Sequence, residues 1–243
     1  MKTIAALLGI LMLCAFTGNT SWEGMDRKEY DRLMNKCDSF YKAQKNFEVR
    51  VTHISFRGHD AVTPYETSFG KSVVAGSNSY HGILGVHTIQ TPQFKIILDS
   101  TSRTMFLDNG AVADKNQLPS FAELNVQQYI TGYKKASREN KLLIHVDYDK
   151  GPAYEAHELV VAPNGLIEQV AIYYRKAYST DVNNPNAPKA KPKLVVKYDR
   201  FSTKVNVSSA LFNANTYYRI NKGTATPSAA FQGWKFHDIR IKK

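Results

Sequence analysis

The chain has 243 residues, 43% hydrophobic and 22% charged, with a formal net charge of +11. These values suit a globular protein with a full apolar core and argue against disorder or a multi-span membrane protein. With two cysteines in all, a disulfide-stapled scaffold and a multi-cysteine metal site are both excluded.

Residues 1–21 read as a secretory signal peptide. Lys2 precedes an apolar run, Ile4–Phe16, and then the small and polar residues Thr17-Gly18-Asn19-Thr20-Ser21. The run is shorter than the about 20 residues a membrane-spanning helix needs. Cleavage is expected after Thr17 or a few residues later, which removes Cys14. Leu13 is a poor residue before a lipidated cysteine, so a free periplasmic protein is expected rather than an outer-membrane lipoprotein. No later run in the sequence approaches membrane-spanning length. The rest, 22–243, is read as one domain.

Residues 25–46 carry an amphipathic helix. Tyr30, Leu33, Met34, Cys37, Phe40 and Tyr41 form one stripe at helical period, with charged residues opposite. Cys37 lies on that stripe and reads as a buried core thiol. From Phe47 the period changes to two, and the expected strands are 47–57, 66–74, 79–83, 93–99 and 103–108. Ser100-Thr101-Ser102 joins the last two as a hairpin. Pro119 to Arg138 interrupts the strands as a short helix or two helical turns, with Phe121, Leu124, Gln128 and Tyr129 as its stripe.

Strands resume at 141–149, 154–162 and 166–178. Pro163-Asn164-Gly165 between the last two is a hairpin turn, read as one with positive φ at both central residues. Residues 179–192 hold three prolines and three asparagines and read as an exposed, mobile loop. Further strands are expected at 193–201 and 234–241, and the chain beyond Asn206 is less regular.

Strands do not alternate with helices as a parallel sheet requires. The inventory is α+β: a strongly curved antiparallel sheet with the helices packed in its concavity. The seven histidines are scattered, without an HExxH pair. His145 and Asp147 share a strand face that could hold a metal, but with Leu142, Ile144, Val146 and Tyr148 on the other face they are read as a solvent-facing polar face. No nucleophile elbow or phosphate loop is present. An enzyme is not expected, nor a cofactor, a metal or a nucleic-acid partner. The positive charge of an exported chain points instead to anionic lipid or an acidic protein.

In layout the chain resembles a known family. A signal peptide leads to a helix whose end, SFYKAQKNFEVRVTHISF, runs into a meander. That meander contains QFKIILDSTSRTMFLDNG, AYEAHELVVAPNGLIEQVAIYY and KLVVKYDRF. This is similar to the half-barrel proteins of the periplasmic lipoprotein-carrier type, LolA-like and LppX/RseB-like, over roughly residues 26–201. The lysine- and proline-rich loop and the tail after Asn206 depart from the family's layout. The resemblance implies an apolar cavity that holds lipid or lipoprotein acyl chains. Its expected walls are Val49, Val51, Phe94, Ile96, Leu98, Ile144, Val146, Ile172, Tyr174, Val196 and Tyr198. An alternative is a secreted structural or interaction protein of an envelope assembly. It would dock an envelope protein through sheet edges and the basic 179–192 loop.

Overall fold

The computed structural model describes residues 21–111, 127–181, 183–184 and 186–241. The leader, Cys14, and the Phe121 and Leu124 part of the second helical stripe lie outside the described residues. Two compact units are distinguished. The first takes the described residues of Met1–Cys37, Ile54–Thr67 and Val126–Val196; the second takes those of Asp38–His53, Ser68–Asn125 and Lys197–Lys243.

Helix α1 (Arg27–Ala43) starts where Asp26 Oδ1 accepts the Glu29 amide at 2.7 Å. Asp26 and Glu29 have the spacing of a capping box. Its apolar stripe is buried at Tyr30, Cys37 and Tyr41, as the periodicity predicts.

In the first unit the ladder order is β1-β8-β9-β10-β11: β1 (Glu23–Met25), β8 (Ile130–Arg138), β9 (Lys141–Tyr148), β10 (Tyr154–Val161) and β11 (Ile167–Tyr174). Register places Tyr133, Val146, His157 and Ile172 in one row across four strands. That face carries the core, with Ile144, Val146, Leu159 and Val170 fully buried. Residues of α1 lie on it: the Tyr30 and Tyr133 rings are 4.6 Å apart, and Lys135 Nζ donates to Glu29 Oε1 at 2.7 Å. The opposite face carries the row Lys134, His145, Glu158 and Ala171.

The second unit builds its ladder from β2 (Asn46–Phe56), β3 (Glu66–Ala75), β4 (Asn78–Ile83), β5 (Val86–Gln90), β6 (Phe94–Asp99), β7 (Thr104–Asn109) and β17 (Lys235–Asp238), in that order. β14 (Lys193–Ser202) lies next to β2. Along one face run two parallel rows. The first is Val73, Tyr80, Ile89, Ile96 and Leu107; the second is Lys71, Gly82, His87, Leu98 and Met105. The apolar ends of both rows are covered by the chain's own tail. Tyr217, Tyr218 and Ala225 are buried there, with Leu211, Phe212, Phe231 and Trp234 packed around them. The tail is held by Tyr217 Oη donating to Leu211 O at 2.7 Å and by the small hairpin of β15 (Tyr218–Asn221) and β16 (Thr224–Pro227).

Several expectations are corrected. Residues 130–138 are a strand, not helix, directly following a 3₁₀ turn at Gln127–Tyr129. They pair with β9 on one side and β1 on the other, and those ladders override the helix-forming run Lys134-Lys135-Ala136. The ladders are not purely antiparallel, because β17 pairs parallel with β7. The strand expected to run to Tyr178 ends at Tyr174.

The Asn-Gly turn has positive φ only at Gly165 (+94°). Pro163 fixes its own φ in the negative range, so a type I turn followed by a left-handed glycine forms instead. The Gly165 amide donates to Ala162 O at 2.9 Å. The 179–192 segment is tied into the first unit. β12 (Tyr178–Ser179) pairs with β13 (Lys189–Ala190), Lys191 Nζ donates to Glu155 at 2.6 Å, and Lys193 Nζ donates to His59 O at 2.6 Å.

Tail packing sets the first prediction. Tyr217 is 4% exposed and Phe69 is 75% exposed. Tyr217→Ala should cost the second unit about 3 kcal/mol or more, as buried aromatic truncations do. Phe69→Ser should stay within about 0.5 kcal/mol of the parent. Chemical denaturation of the three proteins measures both.

Candidate functional site

On the β2–β4 side of the second unit, the rows that end under the tail begin in an open groove of about 840 Å³. That volume falls within the roughly 300–1,000 Å³ of small-molecule sites. Two of its lining residues, Gly70 and Gly82, are closely approached by their neighbours. A Cβ on Gly82 would strike the Tyr80 hydroxyl and His87 Nδ1, and one on Gly70 would strike Gly82 O. Tyr80 and His87 share a 2.9 Å hydrogen bond, and burial pushes the Tyr80 hydroxyl up from its ordinary pKa.

The groove has two kinds of wall. One is cationic: Arg50 from β2, Lys71 from β3 and Arg200 from β14. Lys71 Nζ lies 2.8 Å from Glu48 Oε2. Asp199 also lines it and accepts from Thr52 Oγ1 at 3.4 Å. The other wall is apolar: Phe69, Ile83 and Leu84. Leu84 is 58% exposed and sits at φ +52° in the β4–β5 turn, beside Gly85 at +76°. A leucine in the left-handed region costs about 1–2 kcal/mol. Arg200 adopts φ +55° within a strand, so an apolar and a cationic wall residue are both held by unfavourable backbone.

The first unit carries a second polar cluster. His145 lies between two carboxylates, Nε2 at 2.9 Å from Asp147 Oδ1 and Nδ1 at 3.0 Å from Glu158 Oε1. Lys134 Nζ donates to Asp147 at 2.9 Å, Tyr173 Oη donates to Glu158 at 2.9 Å, and the Trp22 ring stands edge-on at 5.5 Å. Burial opposes charge on His145, but the hydrogen bonds and charges of Glu158 and Asp147 outweigh it and raise its pKa. For Asp147, burial is outweighed by the Lys134 and His145 hydrogen bonds, and the pKa falls. Every position of this carboxylate–imidazole chain is filled by its neighbours, which fits ion pairing on a sheet face. Among the described residues no group of three metal-ligating side chains has the geometry of a metal site.

On the opposite face, His157 is 1% exposed and shares a 2.9 Å hydrogen bond with Tyr148 Oη. Burial, with the nearby His145 charge, lowers its pKa to about 3.

The expected cavity residues divide between the units. Ile144, Val146, Ile172, Tyr174 and Val196 belong to the first; Val49, Val51, Phe94, Ile96, Leu98 and Tyr198 belong to the second. All are buried except Tyr174, which is half-buried. Phe94, Ile96 and Leu98 pack against the tail. Of the eleven, Val51 lines the groove. Periodicity did not single out Arg50, Lys71, Arg200, Phe69 or Leu84. The available signal was the Leu84-Gly85 pair between Ile83 and Val86, a hairpin turn with an apolar residue where Asn or Gly is usual.

No family model matches the chain, and no curated protein matches it. The chain is similar to solved structures of the LolA and LppX type. A LolA superfamily protein from Nitrosomonas europaea aligns at 13% identity over 76% of this chain and 98% of its own, with a TM-score of 0.33. The Mycobacterium tuberculosis lipoprotein LppX aligns at 9% over 75% of this chain and 100% of its own, with a TM-score of 0.38. An uncharacterized conserved protein from Thermus thermophilus aligns at 8% over 87% and 99%, with a TM-score of 0.44. At these levels the functional argument rests on the chain's own residues.

The two histidines of the first unit predict opposite pH effects. His145 has a folded pKa above its ordinary 6.5, so its stabilisation is complete below 6.5 and is lost as pH rises through the folded value. His157 has a folded pKa depressed to about 3, so its contribution is present above 6.5 and is lost as pH falls toward 3. His145→Gln should flatten the alkaline limb of the stability curve, and His157→Leu the acid limb. Urea titrations from about pH 3 to alkaline pH, above the ordinary histidine value, check the signs, and the assignment fails if the two variants shift the same limb.

Proposed function

We propose that the protein is a non-enzymatic, extracytoplasmic binding or carrier protein for lipid acyl chains or lipoproteins in the cell envelope. The observation that carries this reading is the groove of the second unit, where exposed apolar side chains face a cationic wall. An open groove with exposed Phe69 and Leu84 suits a flexible chain, and the basic wall suits its polar end. The leader sequence and the net charge of +11 support a compartment where the available anionic partners are membrane amphiphiles. No helix among the described residues is long and apolar enough to cross a membrane.

Docking of an envelope protein through the 179–192 loop is the weaker reading. One of its two lysines, Lys191, is engaged within the first unit by Glu155, and Lys193 just beyond the loop is engaged by His59.

Native mass spectrometry of protein purified without detergent should find a bound amphiphile. Leu84→Asn together with Phe69→Ser should weaken its binding about a hundredfold or more, because burying each side chain is worth roughly 1.5–3 kcal/mol. Asn tolerates the left-handed region, so the turn should stay folded. A clean apo mass, with no amphiphile binding on titration, contradicts the carrier reading.

A further inference from the structure

The groove's cationic wall goes further than a general affinity for apolar chains. We propose that the groove selects anionic amphiphiles, with the guanidinium groups of Arg50 and Arg200 holding a carboxylate or phosphate head while the tail lies along Phe69, Ile83 and Leu84. This rests on the carrier reading and narrows its ligand class.

Three observations carry it. First, the cations differ in what they already hold. Lys71 is paired with Glu48 at 2.8 Å, whereas Arg50 and Arg200, both exposed, have no ion pair or hydrogen-bonded acceptor among the described residues. Arg50 and Arg200 line the groove with a single carboxylate residue, Asp199, and Thr52 donates to that carboxylate. The local balance therefore favours an incoming anion, and the planar guanidinium donors match carboxylate and phosphate oxygens.

Second, Arg200 is aimed by strain. Its φ of +55° lies in a region that a β-strand residue with a side chain avoids, at a cost of order 1–3 kcal/mol. Asp199 and Arg200 are exposed in succession, whereas a regular strand would turn one of them away. The irregularity presents Arg200 to the groove wall. Third, head and tail sites adjoin. Phe69 and Lys71 stand two residues apart on β3, so they share one face, and both line the groove: the apolar lip and the cationic wall adjoin. A single amphiphile can touch both.

The test is calorimetric titration of the mature chain with decanoate, decyl phosphate, decyl maltoside and inorganic phosphate, each below its micelle concentration where it has one. The variants are Arg50→Gln and Arg200→Asn, the second chosen because Asn accepts positive φ. Each should weaken decanoate or decyl phosphate about tenfold and leave decyl maltoside unchanged. Added salt should weaken the same two ligands in the parent. The stronger of the two identifies the head as carboxylate or phosphate.

Equal binding of decyl maltoside and the anionic ligands, or an equal loss for all of them in the variants, overturns the anion selection and leaves the carrier reading standing. Inorganic phosphate binding as tightly as decyl phosphate overturns the amphiphile class. Binding of none of the amphiphiles to the parent removes the carrier reading from this groove, and the anion selection with it.

Discussion

A β-sheet with an apolar face has to bury it, and this requirement organises both units. In the first unit, residues of α1 lie on the row that contains Tyr133, Val146 and His157. In the second, the tail sets Tyr217 and Tyr218 against Phe94 at ring separations of 6.3 and 5.9 Å, over the face of β5–β7. Burial of each such side chain is worth roughly 1.5–3 kcal/mol, enough to order a segment with little regular structure of its own. The groove begins where this cover ends. Tyr80 packs against the tail cluster and also lines the groove, so one ring forms the boundary between packed core and open site.

That boundary explains the composition of the groove. Beneath the tail, the second row holds Leu98 and Met105; beyond it, the same row holds His87, Gly82 and Lys71. Apolar residues give way to a glycine and titratable groups at the point where the face is no longer covered. Phe69 and Leu84 run against this trend, remaining apolar and exposed at the rim. Exposed apolar residues beside exposed cations form a surface suited to an amphiphile, and the left-handed backbone at Leu84 and Arg200 holds one residue of each kind in place.

Much of the fold was legible in the sequence, because its signals are local. Alternation placed β2, β3, β6, β7, β9, β10 and β14 to within a residue or two, and the helical stripe placed α1. The tight Ser100–Ser102 connection forms as expected, with Asp99 Oδ1 accepting the Thr101 and Ser102 amides. What stayed hidden depends on distant neighbours. Residues 130–138 became a strand through pairing on both edges. β5 was overlooked because its turn uses Leu84 where a permissive residue is usual. The groove joins Arg50 to Arg200 across β2 and β14, with Gly70 and Gly82 in its lining. A periodic pattern reports the side chains that are present, and it gives no sign of a void or of strand adjacency. Ten of the eleven expected wall residues are buried; what periodicity could not distinguish is a packed interior from a lined cavity.

The central claim is that an amphiphile binds at the β2–β4 groove of the second unit rather than in the packed interiors. Backbone NMR shift mapping of the isotopically labelled mature chain with decanoate tests this directly. Perturbations should concentrate at Arg50, Lys71, Gly82, Leu84, His87 and Arg200. Perturbations centred on Ile144, Val146 and Ile172 would contradict the account and place the ligand within the first unit.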